Sequence, residues 1–278
     1  MTTRFAPSPT GPLHLGHAFA ALFAFDEARK SGTRFLLRME DIDTTRSRPE
    51  YEQGIYDDLR WLGLTWEEPV RKQSEHFAEY RAALERLRAL GLLYPCFCTR
   101  REIQEEIARA GQAPHGPEGP MYPGICKKLS ADEVASRIAE GRDYALRLDL
   151  EKAIALAGRD LVWKDLAHGE FTADPSSLGD VVLARKDTPT SYHLAVVVDD
   201  AAQDITLVTR GEDLLGATHL HRVLQALLGL PVPFWKHHRL ITDENGRRLA
   251  KRDDARSLRT LRELGWTAKR VREELGFA

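Results

Sequence analysis

The sequence predicts an α/β fold whose parallel sheet is built in two halves around an insertion. Three observations lead there. A short strand over residues 2–6 runs into a proline-rich loop and then into a strong helix former, Ala18-Phe19-Ala20-Ala21-Leu22-Phe23-Ala24. Strand and helix patterns alternate over residues 1–93, lose regularity over 94–178 and resume over 179–253. Finally, two strand patterns end in charged clusters, Glu40-Asp41-Ile42-Asp43 and Arg210-Gly211-Glu212-Asp213. Open α/β sheets bind ligands beyond the carboxyl ends of their strands.

In chain order, the first helix covers residues 15–30 and stops at Ser31-Gly32. Residues 34–39 read as a buried parallel strand. Pro49 opens a helix over 51–62, and a second amphipathic helix over 74–90 carries Leu84, Leu87 and Leu90 at helical spacing. This is a β-α-β-α half of a Rossmann-like domain. The insertion, 94–178, holds all three cysteines, a proline- and glycine-rich loop (113–123), one short helix (131–141) and short strands at 144–148 and 161–164. The second half contains strands at 179–185, 204–209 and 238–242, with helices over 192–200 and 214–228. A turn at 243–246 leads to a basic loop, and residues 254–278 close the chain with two helices, 256–264 and 267–275.

Composition narrows the function classes. The 278 residues suffice for a sizeable core. A net charge of −2 gives no overall basic field, so any RNA contact rests on local patches such as Lys127-Lys128, Arg247-Arg248 or Lys269-Arg270. No apolar run reaches the roughly 18 residues of a membrane span, and Arg4 with its proline-rich turn is unlike a signal peptide. A cytoplasmic location is expected. In that compartment three clustered cysteines favour metal over a disulfide.

The loop before the first helix is the centre of the chemistry. His14-Leu15-Gly16-His17 sets two imidazoles at a helix N-terminus, where free N–H groups and the positive end of the dipole favour an anion. Glu40 supplies a carboxylate beside it, and Arg4 and Arg210 lie at strand ends. A planar guanidinium suits a carboxylate ligand, Glu40 suits an ammonium, and Tyr192 adds a hydroxyl donor. Cys96, Cys98 and Cys126 are soft zinc ligands, and chemistry alone suggests His115 as the fourth.

The run Arg4 to His17 resembles the signature loop of class I aminoacyl-tRNA synthetases, with His14-Leu15-Gly16-His17 as the "HIGH" box. The preceding Arg-Phe-Ala-Pro-Ser-Pro-Thr-Gly is similar to the glutamate and glutamine branch. Arg248-Leu249-Ala250-Lys251-Arg252 resembles the mobile "KMSKS" loop, with arginine and alanine at the first lysine and serine positions. The resemblance implies a class I Rossmann-like sheet and an ATP-dependent ligase that uses Mg2+ with ATP. It also implies catalytic roles for His14, His17 and Lys251, ATP binding by these and Gly16, and glutamate binding by Arg4, Ala6, Ser8, Glu40, Tyr192 and Arg210. The family pattern C-x-C…Y-x-x-x-C fits Tyr122-Pro123-Gly124-Ile125-Cys126, which implies Zn2+ on Cys96, Cys98, Tyr122 and Cys126 in a structural role.

The likeness covers residues 1–255, leaving about 25 residues after the Lys251 loop, too few for an anticodon-binding domain. That pattern is similar to glutamyl-tRNA synthetase paralogues that activate glutamate without tRNA and attach it to queuosine in the anticodon of tRNA(Asp). Val196 stands where ordinary glutamyl enzymes carry asparagine, which implies an altered glutamate pocket. The resemblance therefore implies glutamate, ATP and queuosine-containing tRNA(Asp) as partners of a monomer. Two alternatives are a truncated synthetase charging a tRNA 3′ end and a non-catalytic binding paralogue. The retained histidines, Arg4, Glu40 and Lys251 speak against the second.

Overall fold

Three parallel strands form the first half of the sheet: β1 (Thr3–Phe5), β2 (Phe35–Met39) and β3 (Glu67–Lys72), in that spatial order, with Arg4 opposite Leu36. The computed structural model describes residues 1–109, 115–116, 119–241 and 257–277. The helices of this half are α1 (Leu15–Lys30), α2 (Pro49–Trp61) and α3 (Phe77–Ala89). Alanine, leucine and phenylalanine let α1 bury Ala18, Phe19, Ala21, Leu22, Ala24 and Ala28 against the sheet. β3 has no counterpart among the strands read from the sequence. It is an edge strand, which tolerates Pro69 and exposed Glu67 and Glu68.

The middle of the chain contributes β4 (Leu93–Cys96), α4 (Arg100–Arg109), the short pair β5 (His115–Gly116) and β6 (Gly119–Pro120), α5 (Ala131–Ala139), β7 (Ala145–Leu148), α6 (Leu150–Ala157), β8 (Val162–Asp165), β9 (Gly169–Thr172) and β10 (Val182–Ala184). β4, β7 and β10 form an antiparallel sheet in the order β10-β7-β4. Then come α7 (Tyr192–Ala202), β11 (Leu207–Gly211), α8 (Leu215–Leu228) and β12 (Phe234–His238). β11 and β12 run parallel in register from Leu207 opposite Phe234 to Gly211 opposite His238.

Sheet pairing crosses two boundaries suggested by the sequence. β8, within 94–178, lies against β12 through Asp165 and Trp235, so the β8–β9 hairpin extends the edge of the second-half sheet. β10, read as the first strand of the second half, pairs antiparallel with β7 instead. The last strand also sits earlier than the 238–242 expected. Pro231, Pro233 and Lys236-His237-His238 disguise it, yet Trp235 and His237 alternate inward as a strand requires. The closing helices, α9 (Leu258–Glu263) and α10 (Ala268–Leu275), pack Leu258, Leu261, Val271 and Leu275 onto the core around α1 and β2. No helix among the described residues is long and apolar enough to cross a membrane.

The two halves are joined at β1 and β11. The backbone amides of Thr206 and Leu207 both donate to the Thr2 carbonyl, at 3.1 and 3.0 Å. Beneath that seam, two consecutive carboxylates at the end of α7 reach all three strands of the first half. Asp200 receives Arg4 of β1 at 2.9 Å and Arg38 of β2 at 2.8 Å. Asp199 receives Arg71 of β3 at 2.8 Å, together with Gln73 at 2.7 Å and Tyr80 at 2.8 Å. Burial alone would raise the Asp200 carboxyl, but Arg4 and Arg38 hold it below its ordinary value. Burial likewise opposes the charge on Arg38, and Asp200, Asp199 and Glu40 restore it.

Asp199 is fully buried, so removing it strands several donors at once. Asp199→Ala is expected to cost about 3–5 kcal/mol of unfolding free energy, read from the urea midpoint. A loss below about 1 kcal/mol would mean that the network does not hold the two halves together.

Candidate active site

A cavity of about 440 Å³ opens at the carboxyl ends of β1, β2 and β11, against the N-termini of α1 and α7. Arg4, Ala6, Ser8, His14, Gly16, His17, Glu40, Tyr192 and Arg210 all line it, as does Val196. The structure thus gathers nine of the residues singled out in the sequence around one volume, although they lie as much as 206 positions apart. Lys251 and its basic loop lie outside the described residues. The described residues on either side of that loop both reach this region: Ile241 lines the cavity, and Ser257 bridges His14.

The two histidines cap α1 reciprocally. His14 Nδ1 accepts from the Gly16 amide at 3.1 Å, and His17 Nδ1 accepts from the His14 amide at 3.2 Å. A backbone N–H can only donate, so both Nδ1 atoms are acceptors and each neutral ring carries its proton on Nε2. The ring centroids lie 3.8 Å apart, with the planes tilted by 33°. Gly16 is needed for this closeness, since a Cβ there would lie 3.0 Å from His14 Cε1. The cap therefore aligns two Nε2–H donors at a helix N-terminus, a suitable arrangement for phosphate oxygens.

The two arginines differ electrostatically. Arg4 is bidentate on Asp200 and also donates to the Thr209 carbonyl at 3.1 Å, so its charge is balanced inside the protein. Arg210 is 6 % exposed, and no carboxylate among the described residues lies within ion-pair distance of it. Its partners are uncharged: Tyr192 Oη at 3.2 Å, His221 Nδ1 at 3.2 Å, His237 Nε2 at 3.2 Å and the Thr218 hydroxyl. Burial pushes His237 down to about 4 and His221 well below its ordinary value, with Arg210 adding to both, so neither contributes charge at neutral pH. A buried cation without a counter-ion is costly, and an anionic ligand removes that cost. Tyr192, which accepts from Arg210, retains its own O–H to donate.

Glu40 provides the opposite charge across the cavity. Burial raises its carboxyl above the ordinary value, against the pull of Arg38 and Arg4; Arg38 Nη2 is 3.5 Å away. An ammonium brought by a ligand would favour its ionised form. The cavity thus presents a cation, a carboxyl that an ammonium would ionise and two imidazole donors to one molecule.

The cysteines form a separate cluster. The Sγ atoms of Cys96, Cys98 and Cys126 lie within 4.8 Å of one another. Tyr122 Oη is 3.5 Å from Cys96 Sγ and 3.6 Å from Cys98 Sγ, and Cys98 and Cys126 are 3.3 Å apart. Ligands about 2.3 Å from a tetrahedral zinc stand roughly 3.7 Å apart, so this donor set fits. The Cys126 amide donates to Tyr122 Oη at 2.8 Å and the Arg147 guanidinium lies 3.8 Å over its ring; both favour a phenolate. Burial nevertheless raises the Tyr122 hydroxyl, and it pushes the Cys98 thiol up to about 12, so a metal would have to displace protons here. The side chain of His115 lies outside the described residues.

Several contributors to the cavity escape sequence reading. Asp200, Thr218, His221 and His237 act through partners on other elements; the Asp199-Asp200 doublet ending an apolar helix was the one local hint. Phe97 and Trp163 are 3 % and 2 % exposed, so neither ring offers a face to an RNA base.

The family model for the catalytic domain of class I tRNA synthetases specific for E and Q matches residues 1–275, and the chain belongs to that family. Within it, the chain is 52 % identical to a glutamyl-Q tRNA(Asp) synthetase of Rhodobacter capsulatus across the full length of both proteins. It is 48 % identical to one of Nocardia farcinica, covering 96 % of this chain and 81 % of the relative. A crystal structure of a glutamate tRNA ligase from Elizabethkingia meningosepticum, in complex with its amino acid, superposes with a TM-score of 0.74 at 31 % identity. That match covers 91 % of this chain and 52 % of the ligase, so the chain spans about half the length of that protein.

Proposed function

We propose that this protein is an ATP-dependent ligase that activates glutamate without tRNA and transfers it to queuosine in the anticodon of tRNA(Asp). Full-length identity of 52 % to a glutamyl-Q tRNA(Asp) synthetase supports the acceptor. The observation that carries the amino acid is Arg210, a buried cation awaiting a carboxylate at the edge of the cavity. Its remaining Nη2–H and the Tyr192 hydroxyl hold the glutamate side chain, Glu40 takes the ammonium, and Ala6 and Ser8 shape the pocket. Arg4, balanced by Asp200, lines the pocket as a secondary contact. Val196 forms an apolar wall.

The chemistry is positioning and charge stabilisation. The α-carboxylate attacks the α-phosphorus of ATP, and the bond to pyrophosphate breaks. His14 and His17 donate through Nε2 to phosphate oxygens as charge develops, with Gly16 admitting the nucleotide. Lys251 and the Mg2+ that accompanies ATP neutralise the triphosphate. A hydroxyl of the queuosine cyclopentenediol then attacks the acyl carbon, and AMP leaves with the electron pair. The cysteine cluster with Tyr122 holds a structural zinc.

Purified protein should catalyse glutamate-dependent ATP–pyrophosphate exchange in the absence of tRNA. It should label queuosine-containing tRNA(Asp) with glutamate and leave an unmodified transcript unlabelled. Labelling of an unmodified tRNA(Glu) transcript at its 3′ end would instead establish a synthetase that charges a tRNA terminus.

Elemental analysis should find one zinc per chain, and removing it should lower the melting temperature of the protein. Three thiols that react freely in the native, metal-replete protein would contradict the site.

A further inference from the structure

Arg210 is held by a relay that begins on a different part of the sheet. Its Nε–H can only donate, so His237 Nε2, at 3.2 Å, is an acceptor and the ring proton sits on Nδ1. That Nδ1 is 2.7 Å from Asp165 Oδ2. Asp165 is 1 % exposed, at the end of β8, and it also receives the backbone amides of His237, Ala167 and His168 at 3.0, 2.8 and 3.0 Å. Such a carboxylate cannot turn away from the ring. On the other side, His221 Nδ1 accepts from Arg210 at 3.2 Å, so its own proton lies on Nε2, 3.2 Å from His193 Nδ1. Four of the five N–H groups of the guanidinium are thereby directed at neutral acceptors, which fixes its plane.

We propose that Asp165 and His237 are positioning residues for the glutamate-binding Arg210: the carboxylate locks the imidazole tautomer that presents a lone pair, not an N–H, to the guanidinium. The inference rests on the functional reading above and extends it. It makes the β8–β9 hairpin part of the substrate site, although neither Asp165 nor His237 lines the cavity. With the opposite tautomer, an imidazole N–H would face the guanidinium and turn the fork out of register. Orientation of a histidine by a buried carboxylate controls function in the same way in hydrolytic triads.

The test uses the whole protein and pyrophosphate exchange at varied glutamate and ATP. His237→Leu removes the acceptor. Asp165→Asn supplies an amide donor that favours the wrong tautomer. His237→Gln keeps an acceptor at a similar place. The first two should raise the KM for glutamate about ten- to hundredfold while kcat and the KM for ATP stay within about twofold. His237→Gln should remain within about threefold of wild type for glutamate. An unchanged KM for glutamate in both Asp165→Asn and His237→Leu overturns the inference. So does a parallel loss in glutamate, ATP and melting temperature shared by His237→Gln, because that is a purely structural role. Wild-type protein with no glutamate-dependent exchange overturns the functional reading, and this inference with it.

Discussion

Two aspartates at the end of one helix hold this molecule in its working shape. Asp200 ties Arg4 and Arg38, and Asp199 ties Arg71, Gln73 and Tyr80, so α7 of the second half is fastened to each strand of the first. Buried ion pairs of this kind contribute little net stability relative to an apolar core, but breaking one partner is costly. Their value here is geometric. They set the seam between the halves, and the cavity opens along that seam, with β1 and β11 presenting Arg4 and Arg210 side by side.

On the proposed reading, charge balance gives the pocket its preference. Every buried cation along the seam except Arg210 has a carboxylate partner among the described residues. Arg210 has neutral ones, and two of those are histidines that burial keeps uncharged. Among the described residues this leaves a buried charge without a carboxylate partner, a cost that an anionic ligand offsets. A glutamine amide would bring no charge and would set its own N–H groups against donors. A comparable orientation of donors appears at α1, where backbone amides donating to both Nδ1 atoms align two Nε2–H groups.

Those two features differ in how they can be read from sequence. The histidine cap is local: His14, Gly16 and His17 lie within four positions, and a helix former follows them. Glu40 was legible because it ends an apolar strand, and Arg210 because it ends another. The partners that decide what the arginines do were not legible. Asp200 is 196 positions from Arg4, and Asp165 is 72 from His237; neither pair leaves a periodic trace. β12 was displaced by four residues in the sequence reading because its lysine and histidines mask inward-facing positions, and that error hid His237. β8 was recognised as a strand, but its parallel pairing with β12 depends on the tertiary fold.

The central claim is that an uncompensated Arg210 selects a side-chain carboxylate. Calorimetric titration of the wild-type protein with glutamate and with glutamine tests it without requiring tRNA or turnover. The account predicts saturable glutamate binding and glutamine binding weaker by on the order of a hundredfold or more, with the difference abolished in Arg210→Met. Equal affinities for the two amino acids in the wild-type protein would contradict it.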